Sequence, residues 1–292
     1  MAAKPTAYDP SRFEAEIAEA RAATGTKESA RRALEALDFT TLQDTDGRQG
    51  TETPDQLASF LETAKEPVDG SYVATVCLYP NKIRAAQKAL RGTGIGITTV
   101  MNFPMADQTL RQISEDTRMA VKAGATEIDV VMPFSPTDLA LDPVIRAASV
   151  QAAREAAPKA LLKVILETNQ IQDPQVIYEA SRAAIDAGAD MLKTSTGKND
   201  GDVTLEHAAA MLAAIRDSGK DVGLKISKGV KTNDQAAQFI TLANKVMGDG
   251  WADDKQNFRF GASGLRDDLV AQLAPPKPGD KPARSAVPGS DY

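Results

Sequence analysis

Short apolar runs alternate with longer segments of helical pattern from about residue 33 to residue 273. The runs are rich in β-branched residues, and the segments between them repeat their apolar positions with the period of an amphipathic helix. This alternation is typical of βαβ units that build a parallel sheet. We predict eight strands, at residues 36–40, 72–80, 96–104, 127–134, 160–167, 191–196, 222–227 and 258–263.

Capping residues and glycines in the sequence also predict where helices begin and end. Thr53 precedes Pro54 at the start of one helical segment, which is the arrangement of an N-cap followed by proline in the first turn. Two further segments, 108–124 and 174–188, each end in a glycine of the kind that terminates helices. These signals support the helices that the periodicity predicts.

Eight βα units in about 240 residues fit a single closed (β/α)8 TIM barrel of the α/β class. An open doubly wound sheet is the alternative, but no GxGxxG follows the first strand, and RGTGIG (91–96) precedes a strand and is expected to be a loop. We predict three regions: an N-terminal helical extension (1–35), the barrel (36–274) and a flexible Pro/Gly-rich tail (275–292). The extension would cover the bottom of the barrel or support a partner contact.

Net charge and cysteine content limit the classes of partner and the compartment expected for this protein. The chain has 292 residues, a formal net charge of −6 and a pI near 5.1, which argues against nucleic-acid and anionic-membrane partners. The single cysteine, Cys77, cannot form an intramolecular disulfide, and the N-terminus lacks the apolar core of a signal peptide. We therefore expect a cytoplasmic protein without a membrane partner, and a homodimer is one possible assembly.

Charged residues interrupt four successive apolar strands: Asp129, Lys163, Lys193 and Lys225. In a (β/α)8 barrel the C-terminal ends of the strands converge on the active site, so these side chains are expected to meet there. The alternative is that each lysine lies near a strand end and extends its ammonium group to solvent. That explanation suits one isolated lysine better than Lys193 and Lys225 together on neighbouring strands.

Lys193 and Lys225 would hold their ammonium groups close together, because neighbouring strands lie about 4.8 Å apart. Burial and a nearby like charge both lower the pKa of a lysine from its reference value of about 10.4. The neutral amine that results can attack a carbonyl and form a Schiff base. Asp129 could balance the remaining charge and move protons. Lys163 has Glu167 four residues on, so it either joins the site or forms a polar inner network with Glu167.

An anion site is predicted at the ends of the last strands. After Lys193 the turn TSTGK, with Thr194, Gly197 and Lys198, could expose backbone N–H groups to a phosphate. The eighth strand ends in RFGASG, which places Ser263 and Gly264 at a helix N-terminus, where free N–H groups attract anions. Loops after strands seven and eight commonly bind phosphate in this fold. Gly229 and Gly261 would allow a ligand to approach the backbone closely or would serve as ordinary turns.

These motifs together resemble the class I deoxyribose-phosphate aldolases, from about Leu37 to Leu273. The most specific piece is LKTSTGK (192–198), and the matching segments DFTTLQ, VATVCLYP, VMNFP, EIDVVMPF, KVILET and RFGAS follow in the same order as in that family. The resemblance implies reversible cleavage of 2-deoxy-D-ribose 5-phosphate to acetaldehyde and D-glyceraldehyde 3-phosphate, a step of deoxyribonucleotide catabolism. It also implies that no metal or organic cofactor is required, because the lysine imine is the electron sink.

The resemblance assigns roles to individual residues. Lys193 would form the Schiff base, while Asp129 and Lys225 would transfer protons. Asp38 and Thr40 match positions near the sugar hydroxyls. The phosphate end is matched by Lys198, Gly229 and Ser263.

Two positions depart from the family pattern. The seventh-strand motif reads KISKGVKT, with Lys228 where the first of two glycines is expected, and its side chain would crowd the phosphate or pair with it. Gly264 stands where the family often has a hydroxyl residue. Both changes affect the expected phosphate affinity and leave the Schiff-base chemistry intact. Tyr292 is similar to the terminal tyrosine of relatives whose mobile tail approaches the site.

Three functions stay open at this point. The leading one is the aldolase acting through Lys193, and the second is a related lysine-dependent aldolase for another, or an unphosphorylated, sugar. The third is a barrel that binds sugar phosphates without catalysis. Outside the site, we predict that His207, the single histidine, lies on the surface, which argues against a histidine-rich metal site, and that Cys77 is buried.

Overall fold

A closed parallel barrel forms the body of the protein. The computed structural model describes residues 7–45, 47 and 49–274. In this part of the chain each of eight strands pairs with the next, and the last pairs with the first. The TIM barrel and its strand order are therefore confirmed, with strands shorter than predicted. They are β1 (Leu37–Thr40), β2 (Thr75–Leu78), β3 (Gly96–Met101), β4 (Glu127–Val131), β5 (Leu161–Ile165), β6 (Met191–Lys193), β7 (Gly223–Ser227) and β8 (Phe258–Ala262).

Helices surround the barrel and connect its strands. The described α-helices are α1 (Glu14–Ala22), α2 (Lys27–Glu35), α3 (Pro54–Lys65), α4 (Ile83–Ala89), α5 (Leu110–Ala123), α6 (Pro136–Leu139), α7 (Pro143–Arg146), α8 (Ala148–Ala156), α9 (Thr168–Ile171), α10 (Pro174–Asp186), α11 (Leu205–Ser218), α12 (Asn233–Met247) and α13 (Leu265–Leu273). Short 3₁₀ helices cover Pro10–Phe13, Pro80–Lys82 and Trp251–Asp253.

The predicted helix boundaries follow from local chemistry. Thr53 caps α3 with a capping box in which its side chain accepts the N–H of Gln56. Gly124 and Gly188 follow α5 and α10 with φ values of 117° and 102°, which an L-residue adopts only with strain. The segment 91–95 is a loop before β3, as expected from its glycines.

The N-terminal helices lie on the outside of the barrel. Helix α1 packs against α11 and α12, and α2 packs against α12 and α13. Arg12 forms a two-pronged ion pair with Asp217 at 2.7 and 2.8 Å, and Tyr8 stacks on Tyr178. The predicted tail, including Tyr292, lies outside the described residues. Within the described ranges, no helix is both long enough and apolar enough to cross a membrane.

The strand register places the charged residues on one side of the sheet. Lys193 pairs laterally with Lys225, and Lys225 pairs with Arg259 on the next strand. Laterally paired residues of a parallel sheet project to the same face, so these three side chains enter the barrel interior together. Residues of opposite parity, such as Leu192 and Leu224, are buried in the main hydrophobic core.

Candidate active site

Seven charged side chains meet inside the barrel. Each is at most about 10% exposed, and together they come from β1, β4, β5, β6, β7 and β8. Buried charges are stable only when they are paired, and every one of these has an ion-pair partner within the group. We call this group the charge network; its members are Asp38, Glu127, Asp129, Lys163, Lys193, Lys225 and Arg259.

Asp129 lies at the centre of the charge network. Its Oδ2 accepts hydrogen bonds from Lys193 Nζ at 2.8 Å and from Lys225 Nζ at 2.9 Å. Its Oδ1 accepts one from Lys163 Nζ at 3.1 Å. The predicted convergence of these four residues is therefore present. One carboxylate links all three lysines.

Asp38 is the second bridge. It accepts hydrogen bonds from Lys225 and from Arg259, the latter at 2.7 Å, and lies 3.3 Å from Lys163. Arg259 also donates to Glu127 at 3.2 Å, and Lys163 donates to the other oxygen of Glu127. Of the two alternatives for Lys163, the contacts favour the one in which it joins the site residues, because it pairs with Asp38 and Asp129 and not with Glu167. The partners are carboxylates of neighbouring strands.

The network shifts the pKa values of Asp129, Asp38 and Lys225. Burial disfavours the charged form of Asp129, but the ammonium groups of Lys163, Lys193 and Lys225 hold its pKa well below the ordinary value. Burial opposes ionisation of Asp38 as well, but the positive charges of Lys163, Lys225 and Arg259 hold its pKa well below the ordinary value. Burial alone would lower the pKa of Lys225, but Asp129 and Asp38 outweigh it and raise that pKa. The expected lowering at Lys225 is therefore wrong, because it counted the like charge and omitted the second carboxylate.

Charge balance distinguishes Lys193 from the other cations. With every group ionised, four positive side chains face the three carboxylates of the network. Lys193 contacts one carboxylate oxygen, which it shares with Lys225, whereas Lys163, Lys225 and Arg259 each contact at least two carboxylates. Loss of a proton from Lys193 leaves three cations against three anions. This amine is also the network member that lines the cavity described next.

A cavity of about 650 Å³ opens at the C-terminal end of the barrel, with Lys193 in its wall. The cavity is lined by four lysines, and no carboxylate lines it in the described part of the chain. Such a surface favours an anionic ligand. The lining residues are Thr40, Thr41, Leu42, Gln43, Lys193, Thr196, Gly197, Lys198, Ser227, Lys228, Gly229, Val230, Lys231, Gly261, Ala262, Ser263 and Gly264.

The anion-binding end of the cavity is formed by the loops after β7 and β8. Helix α13 begins after Gly264, and no side chain of the described residues caps its N-terminus, so the N–H groups of its first turn are available to a ligand. In the described chain no carboxylate lies within 4 Å of the ammonium group of Lys228 or Lys231. Lys228 has a left-handed backbone with φ of 73°, the conformation that favours the glycine expected at this position.

The side chain of Lys198 is held at the cavity rim by two hydrogen bonds. Its ammonium group donates to the carbonyl oxygen of Leu42 at 2.6 Å and to the carboxylate of Asp44. Tyr79 donates to the same Asp44 oxygen at 2.7 Å. Lys198 therefore ties the loop after β1 to the loop after β6, and an anionic ligand would compete with Asp44 for its charge.

The sequence-predicted substrate residues divide into two groups. Those that line the cavity are Thr40, Gly197, Lys198, Gly229, Ser263 and Gly264. Asp38, Lys163 and Thr194 are fully buried and do not line it. Asp38 and Lys163 belong to the charge network below the cavity. The hydroxyl of Thr194 accepts the N–H of Ser227 at 2.9 Å and donates to its carbonyl at 3.0 Å, so it joins β6 to β7.

Several residues of the site were missed from the sequence. Glu127 and Arg259 are charges inside apolar strands, the same signal that identified Asp129, and could have been found by it. Lys231 stands next to Thr232, the N-cap of α12, so a cation beside a helix start was the available signal. Ser227 and Thr196 carry no such signal, because small hydroxyl residues are common at strand ends.

Two predictions outside the site are decided by burial. Cys77 is fully buried, as expected, and burial raises the pKa of its thiol. His207 lies in α11 and is 7% exposed, so its predicted surface placement is wrong. Burial lowers the pKa of His207, and its Nδ1 has no hydrogen-bond partner among the described residues. Helix α11 is buried along most of its length, which its alanine-rich sequence did not reveal.

A family comparison matches most of the chain. The sequence model of the DeoC/LacD family of aldolases matches residues 32–270, which includes all eight strands and every member of the charge network. The match begins in α2 and ends in α13.

Solved structures share the fold. A provisionally assigned deoxyribose-phosphate aldolase from Coccidioides immitis superposes with a TM-score of 0.70 at 24% identity, covering 90% of this chain and 98% of that one. One from Toxoplasma gondii gives 0.75 at 22% identity, with coverage of 85% and 94%. The deoxyribose phosphate aldolase from Aeropyrum pernix, described as a tetramer, gives 0.67 at 20% identity, with coverage of 88% and 95%. At these identities the likeness concerns the fold.

Proposed function

Because the chain belongs to the DeoC/LacD family of aldolases, we propose that it is a Schiff-base aldolase that reversibly cleaves 2-deoxy-D-ribose 5-phosphate. The products would be acetaldehyde and D-glyceraldehyde 3-phosphate. The proposal depends on one observation: Lys193 is the charge-network lysine that reaches the cavity, and it shares its carboxylate oxygen with a second lysine. A lysine in this setting is suited to attack a carbonyl.

Imine formation would use Lys193 as the nucleophile. The neutral amine adds to C1 of the open-chain sugar, and loss of water from the carbinolamine gives the protonated imine. Asp129 accepts a hydrogen bond from Lys193, so its carboxylate can take a proton from that nitrogen or return one, while it also holds the ammonium group of Lys225. The positive charge of Lys225 stays in place throughout, because its pKa is raised.

Carbon–carbon cleavage would then follow from the imine. The C3 hydroxyl loses a proton to a base, the C2–C3 bond breaks, and its electron pair moves through C1 to the imine nitrogen. D-Glyceraldehyde 3-phosphate leaves, and Lys193 carries an enamine. A proton returns to C2, and water then hydrolyses the imine to release acetaldehyde and the free amine. No atom outside substrate, water and Lys193 changes its bonding, apart from the protons.

The anion-binding end of the cavity supports the proposal of a phosphorylated substrate. Lys228 and Lys231 offer ammonium groups without carboxylate partners in the described chain, and α13 offers an uncapped N-terminus. Phosphate oxygens accept hydrogen bonds from both kinds of donor. Lys228 and Gly229 follow Lys225 by three and four residues, in the loop directly after β7. The proposed phosphate site therefore lies next in sequence to the strand that carries Lys225.

The test is to trap the imine. Wild-type protein is incubated with 2-deoxy-D-ribose 5-phosphate and sodium borohydride, digested, and analysed by mass spectrometry. We expect a reduced adduct on the peptide that contains Lys193 and none when Lys193 is replaced by alanine. A repeated absence of the adduct from active-site peptides would favour the alternative that the barrel binds sugar phosphates without catalysis.

A second candidate is an aldolase of the same chemistry that prefers another, or an unphosphorylated, sugar. Two observations favour it: Lys228 adds a side chain at a left-handed position, and Lys198 is already paired with Asp44. Comparing kcat/KM for 2-deoxy-D-ribose 5-phosphate and for 2-deoxy-D-ribose separates the two. A preference for the free sugar would overturn the phosphate assignment while leaving the Schiff base intact.

A further inference from the structure

Glu167 is a buried acid that the proposed chemistry does not use. It follows β5, is completely buried, and makes no contact with the charge network. Its backbone is left-handed, with φ of 60° and ψ of 51°. A glycine would adopt this conformation at lower cost, so a glutamate at this position indicates that its side chain is needed.

The side chain of Glu167 contacts the segment that follows Lys193. Its Oε2 accepts the backbone N–H of Thr196 at 2.9 Å. Thr196, Gly197 and Lys198 line the cavity directly after the proposed nucleophile. The other oxygen, Oε1, has no hydrogen-bond partner among the described residues. The single bond to Thr196 is therefore the contact that the carboxylate makes.

Residues around Glu167 reinforce the same connection. Leu166 N–H donates to the carbonyl oxygen of Lys193 at 3.0 Å, and Thr168 N–H donates to that of Thr194 at 2.8 Å. The hydroxyl of Ser195 donates to Asn169 Oδ1 at 2.6 Å. Each of the four residues from Lys193 to Thr196 is thus hydrogen-bonded to the segment 166–169. Because the backbone turns at Glu167, both the end of β5 and the start of α9 contact the segment 193–196.

We infer that Glu167 is a positioning residue. Its carboxylate holds the turn 196–198 in place and so fixes the position of the Lys193 amine relative to the anion-binding end of the cavity. This inference rests on the proposed function of Lys193. The role depends on an acceptor oxygen at Thr196 N–H and not on negative charge. Misplacement of groups by about 1 Å lowers turnover even when the chemical groups are all present.

Three variants separate this role from a merely structural one. Glu167→Gln keeps an acceptor oxygen and removes the charge. Glu167→Ala removes the acceptor and keeps the strained backbone, and Glu167→Gly removes the acceptor while relieving the strain. Glu62→Gln, an exposed acid on α3, is the matched control. The folded state of each is measured by circular dichroism and thermal melting before kinetics.

We expect Glu167→Gln to keep kcat/KM for 2-deoxy-D-ribose 5-phosphate within about threefold of wild type. Glu167→Ala and Glu167→Gly should lose between about tenfold and about a hundredfold, the scale on which a misplacement of about 1 Å lowers turnover. KM should rise more for the phosphorylated sugar than for 2-deoxy-D-ribose, because the turn 196–198 carries Lys198, one of the four lysines that line the cavity. A structural role alone predicts instead that Glu167→Gly, with its strain relieved, is at least as active as wild type.

Two results would overturn the inference. One is wild-type kinetics in folded Glu167→Gly or Glu167→Ala, and the other is a Glu167→Gln variant as impaired as Glu167→Ala, which would assign the effect to charge. If Glu167→Ala does not fold, the comparison of the glutamine and glycine variants decides the question. A wild-type protein that gives no borohydride adduct defeats the proposed function, whereas an adduct together with fully active glycine and alanine variants defeats the positioning role alone.

Discussion

Lys193 and Lys225 donate hydrogen bonds to the same oxygen of Asp129, at 2.8 and 2.9 Å. They are lateral partners on neighbouring strands, so the barrel itself sets this geometry. Lys225 also pairs with Asp38, whereas the shared oxygen is the one carboxylate contact of Lys193 among the described residues. Two carboxylates raise the pKa of Lys225 and favour its charged form, whereas Lys193 shares one carboxylate oxygen and lines the cavity.

Replacing Lys225 by methionine should impair catalysis through this coupling. Without the second cation, Lys193 is the one ammonium group left on Oδ2 of Asp129, with Lys163 on Oδ1, and this pairing favours a protonated Lys193. We expect kcat/KM at neutral pH to fall by at least about tenfold, which corresponds to about 1.4 kcal/mol. Activity should recover in part as the pH rises, because alkaline conditions remove the proton from Lys193.

Lys220→Met serves as the control, because Lys220 forms an exposed ion pair with Asp186 far from the network. Its pH–rate profile should match that of the wild-type protein. If Lys225→Met shows reduced activity with an unchanged pH–rate profile, Lys225 does not act through the protonation of Lys193.

Replacing Lys193 by arginine tests the nucleophile while keeping its charge. The guanidinium can still pair with Asp129, but it stays protonated and does not form an imine. We expect turnover to fall by more than about a thousandfold, the scale on which loss of a covalent nucleophile is felt. The borohydride adduct should disappear while the melting temperature stays close to that of wild type. Substantial activity in this variant would show that another group is the nucleophile.

The sequence predicted the barrel because its strands depend on local patterns. Each strand lies in a short, mostly apolar run, and the boundaries of the runs follow from glycine, proline and capping residues. The convergence of Asp129, Lys193 and Lys225 was predictable for the same reason, since strand ends meet in this fold. The pattern overestimates strand length: β6 is three residues long, and the remaining predicted residues, 194–196, lie in the loop that follows it.

The pairing inside the barrel was not predictable in this way. Side-chain parity along one strand suggested that Lys163 meets Glu167, but the register between strands places Lys163 beside Asp129. Register depends on the pairing of residues far apart in sequence, which a single sequence does not display. The raised pKa of Lys225 follows from the same long-range pairing, because Asp38 comes from the opposite end of the chain.

Lys228→Gly decides between two effects of this side chain. If the ammonium binds the phosphate, its loss should raise KM for 2-deoxy-D-ribose 5-phosphate by about tenfold, as for one lost charged hydrogen bond, and leave 2-deoxy-D-ribose unchanged. If the side chain crowds the phosphate, KM should fall instead. We expect the first result, because the ammonium has no carboxylate partner among the described residues. Relief of the left-handed backbone should add up to about 1 kcal/mol to the free energy of unfolding.

Gln172→Gly provides the matched control for backbone strain. Gln172 has φ of 59° and does not line the cavity. It should gain similar stability without any change in KM for either sugar. Equal KM changes in the two variants would mean that backbone relaxation, and not the ammonium of Lys228, controls substrate affinity.

His207 should make the protein less stable in mild acid. Burial lowers the pKa of His207 below its ordinary value of about 6.5, with a smaller opposing effect from Glu206. In the unfolded chain the imidazole binds a proton as the pH falls through 6.5, whereas in the folded protein it stays neutral. The stabilising contribution is therefore complete above pH 6.5 and is lost as the pH falls from there towards the folded pKa.

His207→Gln isolates this effect, because the chain has one histidine and few other side chains titrate between pH 5.5 and 7.5. Urea unfolding at these two pH values should show wild type losing up to about 1 kcal/mol more than the variant, since one pH unit below the unfolded pKa is worth about 1.4 kcal/mol at most. Paired carboxylates contribute equally to both proteins, so they cancel in the comparison. An equal loss in the two proteins would mean that His207 binds its proton as readily in the folded state as in the unfolded chain, despite its burial in α11.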